Sequence, residues 1–194
     1  MRPACSLFIF IFCFSLSAYS QLTKFVAPSG VKCNGQQYWK LKTLDDNEGR
    51  QIDNINTPRE TTIAALRKIK RPTATRPQTR WLLEKKAILL RCTIDTSGFE
   101  DDGDIHIIIR DLKTRQSMVA EIPNPDCENV KNTPFFKKIE KAFKNYLKIS
   151  GTNTKFSGVF EITGVPFFDK KHTGIGAAPT MIEIHPVLEI RKIN

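Results

Sequence analysis

The stretch "NTPFFKKIEKAFKNYLK", Asn132 to Lys148, decides the architecture by what lies on either side of it. Phe136, Ile139, Phe143, Tyr146 and Leu147 recur at helical spacing. Lys137, Lys138, Lys141, Lys144 and Lys148 fill the opposite face. Thr133 is the expected N-cap, with Pro134 in the first turn. Upstream the pattern has period two. "KKAILLRCTID" predicts a first strand, and "DIHIIIRD" a second with Ile105, Ile107 and Ile109 on one face and Asp104, His106 and Arg110 on the other. "SMVAEI" predicts a third, stopped by "PNP". Downstream, "KFSGVFEITGVPFFD" is a fourth strand, "KKHTGIGAAPT" a glycine-bearing loop and "MIEIHPVLEI", Met181 to Ile190, a fifth strand.

Three strands, one helix and two strands is the chain order of a five-stranded oligonucleotide/oligosaccharide-binding (OB-fold) barrel, a mainly β architecture with α+β character. Such barrels take ligands on the face of strands two and three, between the loops joining strands one to two and four to five. A small α+β sandwich is the rival. The helix between strands three and four favours the barrel over residues 81–194.

Before the barrel the chain divides into three parts. Residues 1–20 read as a cleavable signal peptide. Arg2 precedes an apolar run from Leu7 to Leu16 that is too short to span a bilayer, and Ala18 and Ser20 place cleavage after Ser20. The mature protein is therefore expected to be secreted or periplasmic, with no transmembrane segment. Residues 21–56 form a strand/turn segment whose Tyr38 and Trp39 dock on the main body. Residues 57–80 form a helix, capped by Thr57 with Pro58 and Glu60 in its first turn, and then a basic, proline-punctuated linker.

Of five cysteines, Cys5 and Cys13 lie in the leader. Export to an oxidising compartment favours one disulfide among the other three. Cys92 shares the parity of Ile88, Leu90 and Ile94 and reads as a buried thiol, leaving Cys33 with Cys127. Spacing alone does not fix the connectivity, and the pattern is not that of a zinc site.

Thirty basic and twenty acidic residues give a formal charge of +10. That excess favours an anionic partner, nucleic acid or acidic glycan. Lys68, Lys70, Arg71, Arg76 and Arg80 on the linker, with Lys170 and Lys171 on the last loop, are the candidate contacts. The "FEDDGD" loop, Phe99 to Asp104, is acidic instead. Two carboxylate–imidazole pairs share strand faces, Asp104 with His106 and Glu183 with His185. If they converge they could hold a divalent cation or act as acid and base. For His185 a supporting role at a strand bend is the simpler expectation, because Pro186 suits a bulge. The sequence carries no P-loop and no dinucleotide fingerprint.

The blocks "CNGQQYWKLKTLDD", "TTIAALRKIKRP", "DDGDIHIII", "MVAEIPNPDC" and the closing "GVPFFD … MIEIHPVLEI" resemble a group of small secreted bacterial proteins. That resemblance implies export and a shared OB-fold-like C-terminal domain. A second resemblance is to the thermonuclease (staphylococcal nuclease-like) barrel, through Asp102-Gly103-Asp104 and "EIPNPD", Glu121 to Asp126. It implies Asp104 and Glu121 as ligands of a divalent ion, calcium or magnesium. The arginine before the family's second block has no counterpart in "SMVAEI". The functional expectation is thus an exported module for an anionic polymer. One alternative is a metal-dependent nuclease or phosphodiesterase using Asp102, Asp104, His106 and Glu121, with Glu183 and His185 as further metal candidates. The other is a surface protein-interaction module without catalysis.

Overall fold

The structure, a computed structural model, describes residues 31, 33 and 38–193, apart from 53, 75, 77–78, 152–155 and 172–173. The signal peptide expected over residues 1–20 and the third histidine, His172, lie outside the described residues. Six strands form one sheet: β1 (Arg59–Thr61), β2 (Ile88–Phe99), β3 (Ile105–Asp111), β4 (Ser117–Ile122), β5 (Phe160–Phe168) and β6 (Ile182–Lys192). Antiparallel ladders join β2 to β3, β3 to β4, β6 to β5, and β5 back to β2; β4 and β6 run parallel. The five strands β2–β6 thereby close into a barrel with OB topology, as the chain order implies.

The interior follows from alternation. Ile88, Leu90, Cys92 and Ile94 of β2, Ile105, Ile107 and Ile109 of β3, and Met118, Ala120 and Ile122 of β4 all point inward and are buried. Helix α4 (Phe136–Ser150), between β4 and β5, lays Ile139, Ala142, Phe143 and Tyr146 against the sheet, chiefly against β6. It opens later than the Thr133 cap implies. The short helix α3 (Glu128–Lys131) comes first, and Thr133 Oγ1 accepts from the Phe135 amide instead. On β6 the register shifts around Pro186, so that Gly164 faces Val187 and Pro166 faces Ile184. A Cβ on Gly164 would lie 2.3 Å from Ile184 and 2.6 Å from the Pro186 carbonyl. Only glycine fits opposite this irregularity, where a proline's missing donor leaves no ladder bond unmade.

The chain before the barrel is packed onto it. Among the described residues, helix α1 (Trp39–Lys42) and two single 3-10 turns (Gly49–Gln51 and Asn54–Asn56) stand in the part of 21–56 expected as strand and turn, and helix α2 (Ile63–Leu66) replaces the helix expected from Thr57. Trp39, Leu44, Ile52, Ile55, Ile63 and Leu66 join the barrel's own hydrophobic cluster. Residues 59–61 are extended because the start of β2 offers them backbone partners, Arg59 to Ile88 through Thr61 to Leu90. The cap is then Thr62, whose Oγ1 accepts from the Ala65 amide at 3.1 Å. Thr62 caps as well as Thr57 would, so starting the helix later loses little and gains the ladder. Cys33 and Cys127 are joined, with Cα atoms 5.4 Å apart, and Cys92 is a buried free thiol. No helix of the described residues is long and apolar enough to cross a membrane.

Candidate functional site

The outer face of β3, β4 and β6 carries an unusual set of polar residues. Register pairs His106 with Glu121, and Val119 with Glu183. These side chains share the face opposite the interior isoleucines, and His185 follows two residues after Glu183. Asp104 enters from the turn before β3. Asp102 Oδ1 accepts from the Asp104 amide at 3.1 Å, and Asp104 Oδ1 accepts from the Asn124 amide at 2.8 Å. This face is covered rather than open. Helix α1 projects Lys42 onto it, and the closing loop approaches so near that a Cβ on Gly176 would meet the Ile108 side chain at 2.8 Å. Asp102, Asp104, Glu121, Glu183 and His185 are all buried.

The residues that sequence marked as separate pairs meet through Glu121. His185 Nδ1 lies 2.7 Å from Glu121 Oε2 and 3.4 Å from Glu183 Oε1, while His185 Nε2 faces Asp104 Oδ2 at 3.5 Å. The other oxygen of Glu121, Oε1, is 3.2 Å from His106 Nδ1, which Glu100 Oε1 approaches to 3.0 Å. Lys42 Nζ stands 3.2 Å from Glu183, 3.6 Å from Glu121 and 3.6 Å from Asp169. His106 and Glu100 form the partly exposed end of the chain of contacts, and Asp104 and His185 the sealed end.

Burial and mutual charge set the protonation of this cluster. Burial alone would lower the Lys42 ammonium, but Glu183, Glu121 and Asp169 together raise it above its ordinary value. Burial opposes ionisation of Glu121, yet Lys42 and His185 hold it well below the usual carboxylate range. Glu183 is raised, burial outweighing Lys42. Asp104 is raised well above its ordinary value by burial, against the pull of His185, and Asp102 is raised chiefly by burial. For His185, burial and Lys42 push down, while Glu121 and Glu183 outweigh them and bring it to about 9. Hydrogen bonds to Glu100 and Glu121 raise His106 to about 10. Lys42, His106 and His185 therefore stand as cations around the ionised Glu121 carboxylate.

The basic candidates separate into two classes. Arg76 forks onto both oxygens of Glu84 at 2.9 Å and stacks over Phe167 and Trp81, 4.2 and 4.5 Å from their ring centroids. Arg80 is buried on Asp46 and donates to the carbonyls of Leu41 and Glu84. Arg76 therefore pins the linker to the barrel and Arg80 pins it to the segment around Leu41 and Asp46, and neither is available to grip a polymer. Arg71 donates to the main-chain oxygen of Asp169. Lys68, Lys70, Lys170 and Lys171 are exposed. Sequence reasoning missed Lys42, Glu100 and Asp169. Asp169 closes the "FFD" block and Glu100 belongs to the acidic loop, so both were visible as charged residues. Lys42 sits in a short segment with no periodicity to orient it.

The pair carried over from the thermonuclease resemblance, Asp104 and Glu121, does come together, but with an imidazole between. An all-oxygen calcium shell needs six to eight oxygen ligands, and these surroundings do not fit it. Comparison of the chain with protein-family models, with curated proteins and with solved structures found no match.

Proposed function

We propose that the protein is an exported OB-fold module that binds an anionic polymer, nucleic acid or acidic glycan, along a rim of lysines rather than on the usual ligand face. One observation carries this reading. The Arg71 guanidinium on the Asp169 carbonyl lays the stretch holding Lys68 and Lys70 beside the one holding Lys170 and Lys171. Two basic segments about a hundred residues apart in sequence thus meet at one end of the barrel, on a chain of formal charge +10. The outer face of β3 and β4 is taken up by α1 and the closing loop, which directs a ligand to the rim. A hydrolytic role for Asp104 and Glu121 is less well supported, because both are buried and no arginine pairs with either among the described residues.

Fluorescence anisotropy with labelled single-stranded DNA and with heparin, each over a range of salt, tests the reading. The wild-type protein should bind at least one polymer, with affinity falling linearly in log–log form as salt rises. Replacing Lys68, Lys70, Lys170 and Lys171 by Ala should shorten that slope for DNA by about 0.7 for each phosphate contact removed. Equal affinity and slope for the quadruple variant, or failure to bind either polymer at low salt, would overturn it.

A further inference from the structure

We infer that Asp104 Oδ2 and His185 Nε2, backed by Glu121 on the far side of the imidazole, form a binding site for a first-row transition-metal dication of the zinc or manganese kind. The inference is independent of the lysine rim. Ligand atoms from the three residues lie within 4.8 Å of one another, although they come from the turn before β3, from β4 and from β6.

The sealed end of the cluster supplies the second observation. Asp104 Oδ2 and His185 Nε2 are buried, face each other at 3.5 Å, and make no hydrogen bond. Buried polar atoms nearly always complete a hydrogen bond, and this gap is too long for one. It does match two ligands on one ion. In a tetrahedral shell with bonds of roughly 2.1 Å, neighbouring donors stand about 3.4 Å apart.

The surroundings also have the form of a supporting shell. Asp104 Oδ1 is fixed by the Asn124 amide at 2.8 Å. On the far side of the imidazole, Nδ1 faces Glu121 Oε2 at 2.7 Å and Glu183 Oε1 at 3.4 Å as ion-pair neighbours. A dication binding here releases the Nε2 proton to solvent and takes its lone pair, with acids behind the ring at Nδ1, the carboxylate–histidine–metal order in which an outer acid orients a ligand. One imidazole with carboxylates suits zinc, manganese, cobalt or iron(II), whereas calcium and magnesium prefer oxygen alone. Entry runs from the partly exposed Glu100–His106–Glu121 group, which shares Glu121 with the inner set.

Cobalt(II) is the probe, because its visible d–d bands report coordination directly. The purified, tag-free protein is stripped with EDTA and titrated with Co2+, and then with Zn2+ or Mn2+ in competition. The expected result is one equivalent of Co2+ bound with a visible band, displaced by Zn2+. Asp104→Asn and His185→Gln should each abolish the band, and Glu183→Gln should weaken binding by about tenfold. Circular dichroism establishes that each variant is folded. Should the ligand variants fail to fold, the wild-type titration decides alone: no stoichiometric uptake by the stripped protein overturns the site. An intense thiolate-to-cobalt charge-transfer band would place the ion at Cys92 and overturn it equally. So would a d–d band that survives in folded Asp104→Asn and His185→Gln.

Discussion

Lys42, Arg76 and Arg80 stand against Lys68, Lys70, Lys170 and Lys171 as two uses of the same chemistry. The first three come from the segment that precedes the barrel, with side chains buried and each matched to carboxylates at close range. The other four lie exposed at the rim. The first group holds the fold together, and the second lies at the surface. What divides them is place on the barrel and not residue type. A cation under the covering segment must meet an acid, because a buried charge without a partner costs several kcal/mol. A cation at the rim is solvated and bears no such requirement.

The sharpest way to break this contrast is Lys42→Met. It leaves Glu121, Glu183 and Asp169 facing one another without their shared ammonium, and should lower unfolding free energy by about 3–5 kcal/mol in urea titration. A loss below about 1 kcal/mol would make Lys42 no more structural than a surface lysine. Next comes the Cys33–Cys127 bridge, which closes a loop of 94 residues between the leading segment and the chain after β4. Replacing both cysteines by Ser should cost about 2–4 kcal/mol, read from the shift in urea midpoint.

A smaller effect tests the attachment of α2. Asp111 accepts from the amides of Ala64, Lys113 and Thr114. Burial opposes its ionisation, but these amides outweigh it and hold the carboxyl below its ordinary value of 3.8. A depressed carboxylate stabilises the fold above its unfolded value, and the contribution is lost as pH falls through the lower folded value. Stability should therefore decline below about pH 4, and Asp111→Asn should remove about 1–2 kcal/mol at pH 7 and flatten that part of the acid limb. The smallest change in stability is expected from the rim. The variant with Lys68, Lys70, Lys170 and Lys171 all replaced by Ala should unfold within about 0.5 kcal/mol of wild type while losing polyanion affinity. Lys42→Met and the rim variant would then separate stability from binding in opposite senses.

Much of the barrel was legible because alternation reports it directly. Ile105, Ile107 and Ile109 announced an inward face, and the helix between "SMVAEI" and "GVFEITGVPFF" announced the topology. Cys92 declared its burial through strand parity, which singled out the pair that is joined. The leading segment was not legible in the same way. Thr57 and Thr62 both make good caps, and the choice between them rests on a backbone partner at Ile88–Leu90 that no local pattern reveals. The polar cluster was half legible. Spacing placed Glu183 with His185, and Asp104 with His106, on shared faces. An alternating strand, however, assigns its polar face to water by default. That α1 would cover this face and deliver Lys42 depends on contacts between residues far apart in sequence, which periodicity does not encode.

The three residues of β1 have a further effect. They lie along the first part of β2, just where β3 has ended and a row of backbone amides and carbonyls would otherwise stand open. This short patch takes up the template for strand addition at that part of β2 and leaves a three-residue border of its own. Edge-to-edge pairing of two copies at this part of β2 would first have to displace it. A companion molecule arriving there meets the side chains of Arg59, Glu60 and Thr61 before it meets the main chain of β2.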